Sequence, residues 1–296
     1  MVVAMKLNHV ILVILYNKKP EESNTLSCLE STVNYNSKIV IVNNGPSAWG
    51  PESIKYIENV FRTRVHEFVI SEFINNKPLS ILYNDFIKEN KGKKYFTFFD
   101  DDSDFESDFF KFISQDDESA GIYIPVVISK KDKINYYPVV SGKIIKNEGW
   151  LNEKKTFSIA SGLTLTSDAI DKMKLCYASI FDENYALYGV DMSIFRRVSH
   201  MSEKNHRIKI KCVSSLYHSL SRIDEAPSKF RSEERLIDAC LTARHYYCLE
   251  NIIFLVKVFI KECRHIGVIH SISMGMRTII KGSHPRSISW KKMFKL

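Results

Sequence analysis

Three adjacent carboxylates, Asp100-Asp101-Asp102, followed by Ser103 and Asp104, stand directly after the apolar run Tyr95-Phe96-Thr97-Phe98-Phe99. Neighbouring like charges repel, so a fold keeps such a cluster together chiefly when a cation compensates it. Oxygen donors alone suit a hard divalent cation, Mg2+ or Mn2+. Asp100 and Asp102 are one residue apart, so both can point into one cleft while Asp101 points away. An EF-hand calcium loop is ruled out: begun at Asp100, it would carry Phe105 where Gly is required and Lys111 where the bidentate Glu belongs. A solvated acidic turn is the competing reading of the same residues.

The elements that would position this cluster follow a regular rhythm. Residues 8–16 are a continuous apolar and β-branched run, which predicts a central strand. A helix is predicted over 21–33, a second strand over 37–42, a helix over 52–62, a short strand over 65–70 and a helix over 79–89. The strand at 95–99 then ends on the acids. Strands alternating with helices imply a mostly parallel sheet, whose ligands bind beyond the C-terminal strand ends. The acids and the turn Asn43-Asn44-Gly45-Pro46 both sit at such ends. Further along, strands are predicted at 121–129, 159–165 and 207–213, helices at 167–174 and 191–201, and a variable loop region at 130–157. A helical stretch runs from about 231 to 264, and the last thirty residues are weakly patterned.

Composition bounds the answer. At 296 residues, 45% hydrophobic and 26% charged, the chain is globular and long enough for one large α/β domain with an extension. Six scattered cysteines show neither zinc spacing nor a disulfide framework and are expected to be reduced thiols. The first apolar run is too short to span a bilayer and lacks a cleavage site, so a cytoplasmic protein is expected. From Lys257 onward nine Lys and Arg face one acid, Glu262, so this tail carries the whole net charge of +8. Mixed with the apolar run 252–260, these cations suit the surface of an anionic membrane; a core helix with a solvated tail is the other reading. A nucleic-acid-binding protein would explain the charge but leave the acidic cluster without a role. A Rossmann dehydrogenase is excluded because no G-x-G-x-x-G follows the first strand.

Several short motifs recur in one order: Ile11 to Asn17, Val42-Asn43-Asn44-Gly45, Asn75-Asn76-Lys77 through Asn84, and Asp100-Asp101-Asp102-Ser103. They continue with Ala160-Ser161-Gly162, Phe181-Asp182-Glu183, Val190-Asp191 with Arg197, and His218-Ser219-Leu220-Ser221. Last comes Arg244-His245-Tyr246-Tyr247 through Asn251. In number, order and spacing this resembles the family 2 glycosyltransferases of the GT-A fold, within them the bacterial rhamnosyltransferases. The resemblance covers roughly residues 8–255, with Asn43 standing where the family usually has Asp.

The resemblance implies a GT-A catalytic domain over 1–225 and a helical, basic extension over 226–296. It implies an inverting transfer, with Asp191 as the base that takes the acceptor proton; a helix N-cap is the alternative for Asp191. Asp100 and Asp102 would hold Mg2+ or Mn2+, bridging the donor diphosphate, and His218 would be a third ligand or a diphosphate contact. The donor would meet Asn17, Asn43, Asn44, Asn76, Asn84, Asp100, Asp101 (at the ribose), Ser161, Gly162 and Arg197. Ser161 and Gly162 would shape the sugar pocket or simply bend the strand. The donor implied is dTDP-L-rhamnose, or else a UDP-sugar (galactofuranose, galactose or N-acetylglucosamine). The acceptor implied is a lipid-linked saccharide of O-antigen or capsule synthesis.

Overall fold

The seven residues of strand β1, His9–Leu15, are all buried and feed two cores at once. Val10, Leu12 and Ile14 point to one face, and Ile11, Val13 and Leu15 to the other, as the two-residue strand period requires. Burial on both faces is why the run is continuous rather than alternating. The structure, a computed structural model, describes residues 8–33, 36–114, 120–220 and 228–294.

Strands β2 (Ser37–Asn43), β3 (Glu67–Glu72) and β4 (Tyr95–Asp100) complete a parallel half-sheet in the order β3-β2-β1-β4. Helices α1 (Asn24–Thr32) and α2 (Pro51–Phe61) cover one face through Leu26, Leu29, Ile57 and Phe61. Helix α3 (Leu79–Glu89) covers the other through Leu82, Tyr83, Phe86 and Ile87. The helix expected over 21–33 begins with a separate 3-10 turn, Pro20–Glu22, because Ser23 takes extended backbone and caps α1 at Leu26 N–H. A short helix, α4 (Lys111–Ser114), follows β4.

Beyond β4 the sheet turns mixed. Strand β5 (Ile122–Ser129) is followed by β6 (Asn135–Tyr137), β7 (Val139–Val140), β8 (Lys143–Ile144), β9 (Gly149–Leu151) and β10 (Thr156–Phe157). β11 (Thr164–Thr166) then pairs antiparallel to both β4 and β5, and β12 (Ile210–His218) runs parallel to β5. The sheet order continues β4-β11-β5-β12-β9, with β10-β7-β8 forming a small separate sheet. The strand expected from 159 is thus only three residues long, since Ala160 to Leu163 form a turn. The variable region 130–157 also holds five strands of two or three residues, too short to show a period.

Helix α5 (Ser167–Lys174) is capped by Thr166, and α6 (Val190–Glu203) starts at Gly189. The single helix expected over 231–264 is two, α7 (Lys229–His245) and α8 (Leu249–Ile266), broken at Tyr246. The weakly patterned end forms α9 (Val268–Lys281) and α10 (Pro285–Phe294). Ile237 and Leu241 of α7 pack into the same core as β1, which joins the extension to the body. The boundary expected at 225 lies outside the described residues, as does Ser221. From α10, Ser287 donates to the Tyr185 carbonyl and Lys291 pairs with Glu183 at 2.8 Å. Just before α10, His284 N–H donates to the Asn184 carbonyl. Among the described residues no helix is long and apolar enough to cross a membrane.

Candidate active site

The acidic turn at the end of β4 is fixed from below by the start of α1. The Thr25 hydroxyl donates to the Asp100 carbonyl at 2.6 Å and accepts from Ser103 N–H at 2.9 Å. The Ser23 hydroxyl donates to the Asp101 carbonyl at 2.9 Å. With the backbone held, the four carboxylates splay toward four different elements. Asp101 meets Lys18, just after β1, at 2.6 Å, and Asp104 meets Lys130, just after β5, at 2.7 Å. Asp100 accepts from the Ser161 hydroxyl at 3.0 Å. His218, the last residue of β12, places Nδ1 2.9 Å from Asp102 and Nε2 3.9 Å from Asp100.

Two lysines therefore neutralise two of the acids, and the demand for a cation falls on Asp100 and Asp102. His218 is buried between them, with Ser103 Oγ 3.2 Å from Nδ1. The buried Oδ1 of Asp102 has His218 as its ion-pair partner. Among the described residues no three acid, His or Cys side chains are assembled as a metal site. The expected set Asp100, Asp102 and His218 does come together, with the imidazole ion-paired to both acids.

The charges are strongly coupled. Burial pushes the Asp100 carboxyl up to about 6, with nearby Asp102 and Asp101 adding to the rise against His218. Its side chain nonetheless keeps 42% of its surface open, so it lines a cleft rather than a sealed core. Burial likewise raises Asp101 against the opposing pull of Lys18. For Asp102 burial is outweighed by His218 and Lys130, and its pKa falls. For His218 burial would lower the pKa, but Asp102 and Asp100 outweigh it and the net direction is upward.

Asp191 belongs to the same electrostatic unit. It lies in the first turn of α6 and is partly open at its surface, while its carboxyl is deep enough that burial carries it up to about 7. Asp100 is the next cause of that rise, and the Ala160 backbone and His218 oppose it. Gly189 sets the entry into α6 at φ +81°, where a Cβ would strike Asp238 Oδ1 and the Tyr185 ring. Glycine is required there both for the left-handed backbone and for the close approach.

Other residues expected to meet a donor are engaged inside the protein. Asn84 makes four hydrogen bonds, donating to the Phe181 carbonyl and Glu183 and accepting from Ile180 and Phe181 N–H at 2.9–3.1 Å. That exhausts an amide's capacity within the protein, and Asn84 pins the loop before α6. Arg197 does the same from α6: it donates to the Ser179 and Ile180 carbonyls at 2.6 and 3.0 Å and faces Asp182 at 3.5 Å. Tyr246 donates to the other oxygen of Asp182 at 2.9 Å. Asn43 is buried, donating to the Ser47 carbonyl and Glu72 at 2.8 Å each and accepting from Gly45 N–H. Asn44 donates to Asn76 and to the Lys77 carbonyl. Asn17, at φ +52°, donates its N–H to the Gly45 carbonyl at 2.7 Å, tying the turns after β1 and β2 together.

Gly162 takes φ +81°, and a Cβ there would lie 2.7 Å from Pro125 and 2.9 Å from Leu216. It bends the chain so that Ser161 reaches Asp100. Lys18, Lys130 and Asp238 were not singled out in the sequence. A turn lysine carries no signal of its partner, but Asp238 stood within the apolar run Leu236 to Leu241, where an acid is unusual.

Comparison with known proteins bears on the family and the fold. The family model for glycosyl transferase family 2 matches residues 10–184. No curated protein matches the chain. S. aureus TarS superposes with a TM-score of 0.54 at 12% identity, covering 86% of this chain and 43% of that one, so this chain spans less than half of TarS. The 1–349 fragment of TarS in complex with UDP-GlcNAc gives 0.53 at 10% identity, covering 96% and 92%. A mannosyltransferase from Pyrobaculum calidifontis, in complex with GDP-Man and Mn2+, gives 0.52 at 11% identity, covering 97% and 79%. At such identities the likeness is one of fold: a GT-A arrangement with a mostly parallel central sheet flanked by helices.

Proposed function

We infer that this chain, which belongs to glycosyl transferase family 2, moves L-rhamnose with inversion from dTDP-L-rhamnose to a hydroxyl of a lipid-linked saccharide, in O-antigen or capsular polysaccharide synthesis. The observation that carries the reading is the shared field of Asp100, at the end of β4, and Asp191, in the first turn of α6, in which Asp100 adds to the burial that raises the Asp191 pKa. A donor diphosphate beside Asp100 and an acceptor hydroxyl beside Asp191 would place leaving group and nucleophile on opposite sides of the sugar.

Asp100 and Asp102 fit Mg2+ or Mn2+, since both are hard oxygen donors and the buried Oδ1 of Asp102 has only the ion pair with His218 as its contact. Mg2+ is commonly held by one or two carboxylates together with substrate phosphates, so a third protein ligand is not needed. When bound, the ion offsets charge on the departing diphosphate. His218, which pairs with Asp102, would contact the diphosphate or join the metal's ligands, and Asp101, which pairs with Lys18, would meet the ribose. The Ser161 hydroxyl orients Asp100, and Gly162, packed against Pro125 and Leu216, gives the bend that delivers Ser161. Asp191, with its pKa near 7, both accepts a proton from the acceptor and releases it at neutral pH. The motif Arg244 to Asn251 is what suggests rhamnose. Its members brace the extension here, as Arg244 donates to the Ile280 carbonyl and Asn251 to the Tyr246 carbonyl.

A UDP-sugar donor is the second reading, favoured by a neighbour that binds UDP-GlcNAc. Calorimetric titration of dTDP, UDP and GDP, with Mg2+ and then with EDTA, decides between them. Metal-dependent binding of dTDP alone supports rhamnose, preference for UDP moves the donor, and binding of no nucleotide refutes the reading of the site.

A further inference from the structure

Helices α8 and α9 each bury one side and leave an apolar side uncovered. α8 turns Leu255, Val258, Phe259 and Ile266 toward Leu236 and Cys240 of α7. Its opposite side carries Leu249, Ile253, Val256 and Ile260, spaced by four, three and four residues and 45–72% exposed. α9 buries Ser271, Gly275 and Thr278, with Gly275 against Cys240 of α7. Its outer side carries Ile269, Ile272, Met276 and Ile280, 47–86% exposed. Both buried faces meet α7, so both apolar faces turn away from it. Single exposed apolar side chains are ordinary, but two stripes on adjoining helices mark an interaction surface.

The charges beside the stripes say what covers them. On the helical wheel Lys257, Lys261 and Arg264 border the α8 stripe, and Arg277 and Lys281 lie along one edge of the α9 stripe. The only acids on the two helices are Glu250 and Glu262, and Glu262 is buried against Ser232 and Arg235. A second copy of the chain would bring these same cations face to face, since a two-fold interface pairs a patch with itself. A bilayer with anionic headgroups satisfies both parts: acyl boundary for the apolar stripes and phosphate for the cations. Neither helix is a membrane span.

We propose that the outward face of α8 and α9 docks this protein on the surface of an anionic lipid bilayer, with the isoleucine stripes at the acyl boundary and Lys257, Lys261, Arg264, Arg277 and Lys281 among the headgroups. The purpose of that contact rests on the lipid-linked acceptor proposed above, while the contact itself rests on this face. The test is co-sedimentation of the full chain with vesicles of phosphatidylcholine alone and of phosphatidylcholine mixed with phosphatidylglycerol. Binding to the mixed vesicles only is expected. At about fivefold per basic residue near an anionic surface, the triple variant K257Q/K261Q/R264Q should weaken it about 100-fold. The variant I253S/I269S/I280S changes exposed side chains only and should weaken it on the order of 100-fold as well.

Nucleotide titration of both variants should match the parent, showing that the donor site is intact. Binding to neither vesicle, or equal binding to both, overturns the proposal. So does a parent dimer in sedimentation equilibrium that I253S/I269S/I280S converts to monomer, which would give the face to a second copy. Vesicle binding by a chain that binds no nucleotide would refute the transferase site alone, and nucleotide binding without vesicle binding would refute the docking face alone.

Discussion

Replacing Asp191 by Asn should make the protein more stable while stopping transfer. The carboxyl rises from 3.8 to about 7 in the fold, chiefly through burial. At 1.36 kcal/mol per pH unit, ionising it in place costs up to about 4 kcal/mol above pH 7. Asp191 is partly open and shares its field with Asp100, so screening reduces the expected gain to about 2 kcal/mol. The sign follows from a raised carboxylate: the folded state holds its proton more tightly, so its stability falls as pH rises from 3.8 to about 7. Asn carries no such charge. Denaturant unfolding of parent and D191N should therefore coincide near pH 4 and separate progressively to a plateau above pH 7. Transfer by D191N should drop by about 100- to 10,000-fold, the usual contribution of a positioned base, with nucleotide binding retained. Equal or lower stability of D191N at pH 8 would show that Asp191 is not desolvated, and retained turnover would remove it from the base role.

Asp102→Ala should abolish the Mg2+-dependent part of nucleotide binding in calorimetry while leaving a weak EDTA-resistant remainder unchanged. His218→Gln removes a group whose pKa Asp102 and Asp100 raise against its burial. The parent's stability advantage over H218Q should be full below pH 6.5 and fade as pH climbs through the raised value, as followed by unfolding midpoints. Gly162→Ala meets both the left-handed backbone and the contacts with Pro125 and Leu216, and should cost about 3 kcal/mol in denaturant unfolding. An unchanged midpoint would mean that the turn before β11 can be rebuilt.

The parallel half of the fold was legible because β1, β2 and β4 are buried on both faces and so write themselves as unbroken apolar runs. The acidic cluster was legible for the same reason, since charge arrives abruptly where the strand leaves the core. What lay hidden was set by distant partners. β12 continues to His218 through an irregularity in its pairing between Cys212 and Ser215, with Ser214 at φ +58°. A period-2 reading stops at such a break. Asn84 and Arg197 look from the sequence like contacts for a substrate. Which side chains face a cleft and which hold the loop behind it depends on packing between α3, α6 and residues 179–183, and no local pattern encodes that choice.

The segment 179–189, which delivers Asp191, is gripped by Asn84 from α3, by Arg197 from α6 and by Ser287 and Lys291 from α10. Roughly two hundred residues separate the first of these anchors from the last. A growing chain can therefore assemble β1 to β4 and their helices early, yet the segment before Asp191 gains its last anchors only when residues near 290 have emerged and docked. Closing so long a loop is slow relative to local folding. On the function proposed above, a chain cut before α10 would keep the parallel half of the sheet yet lack the Ser287 and Lys291 anchors of the segment that leads to Asp191.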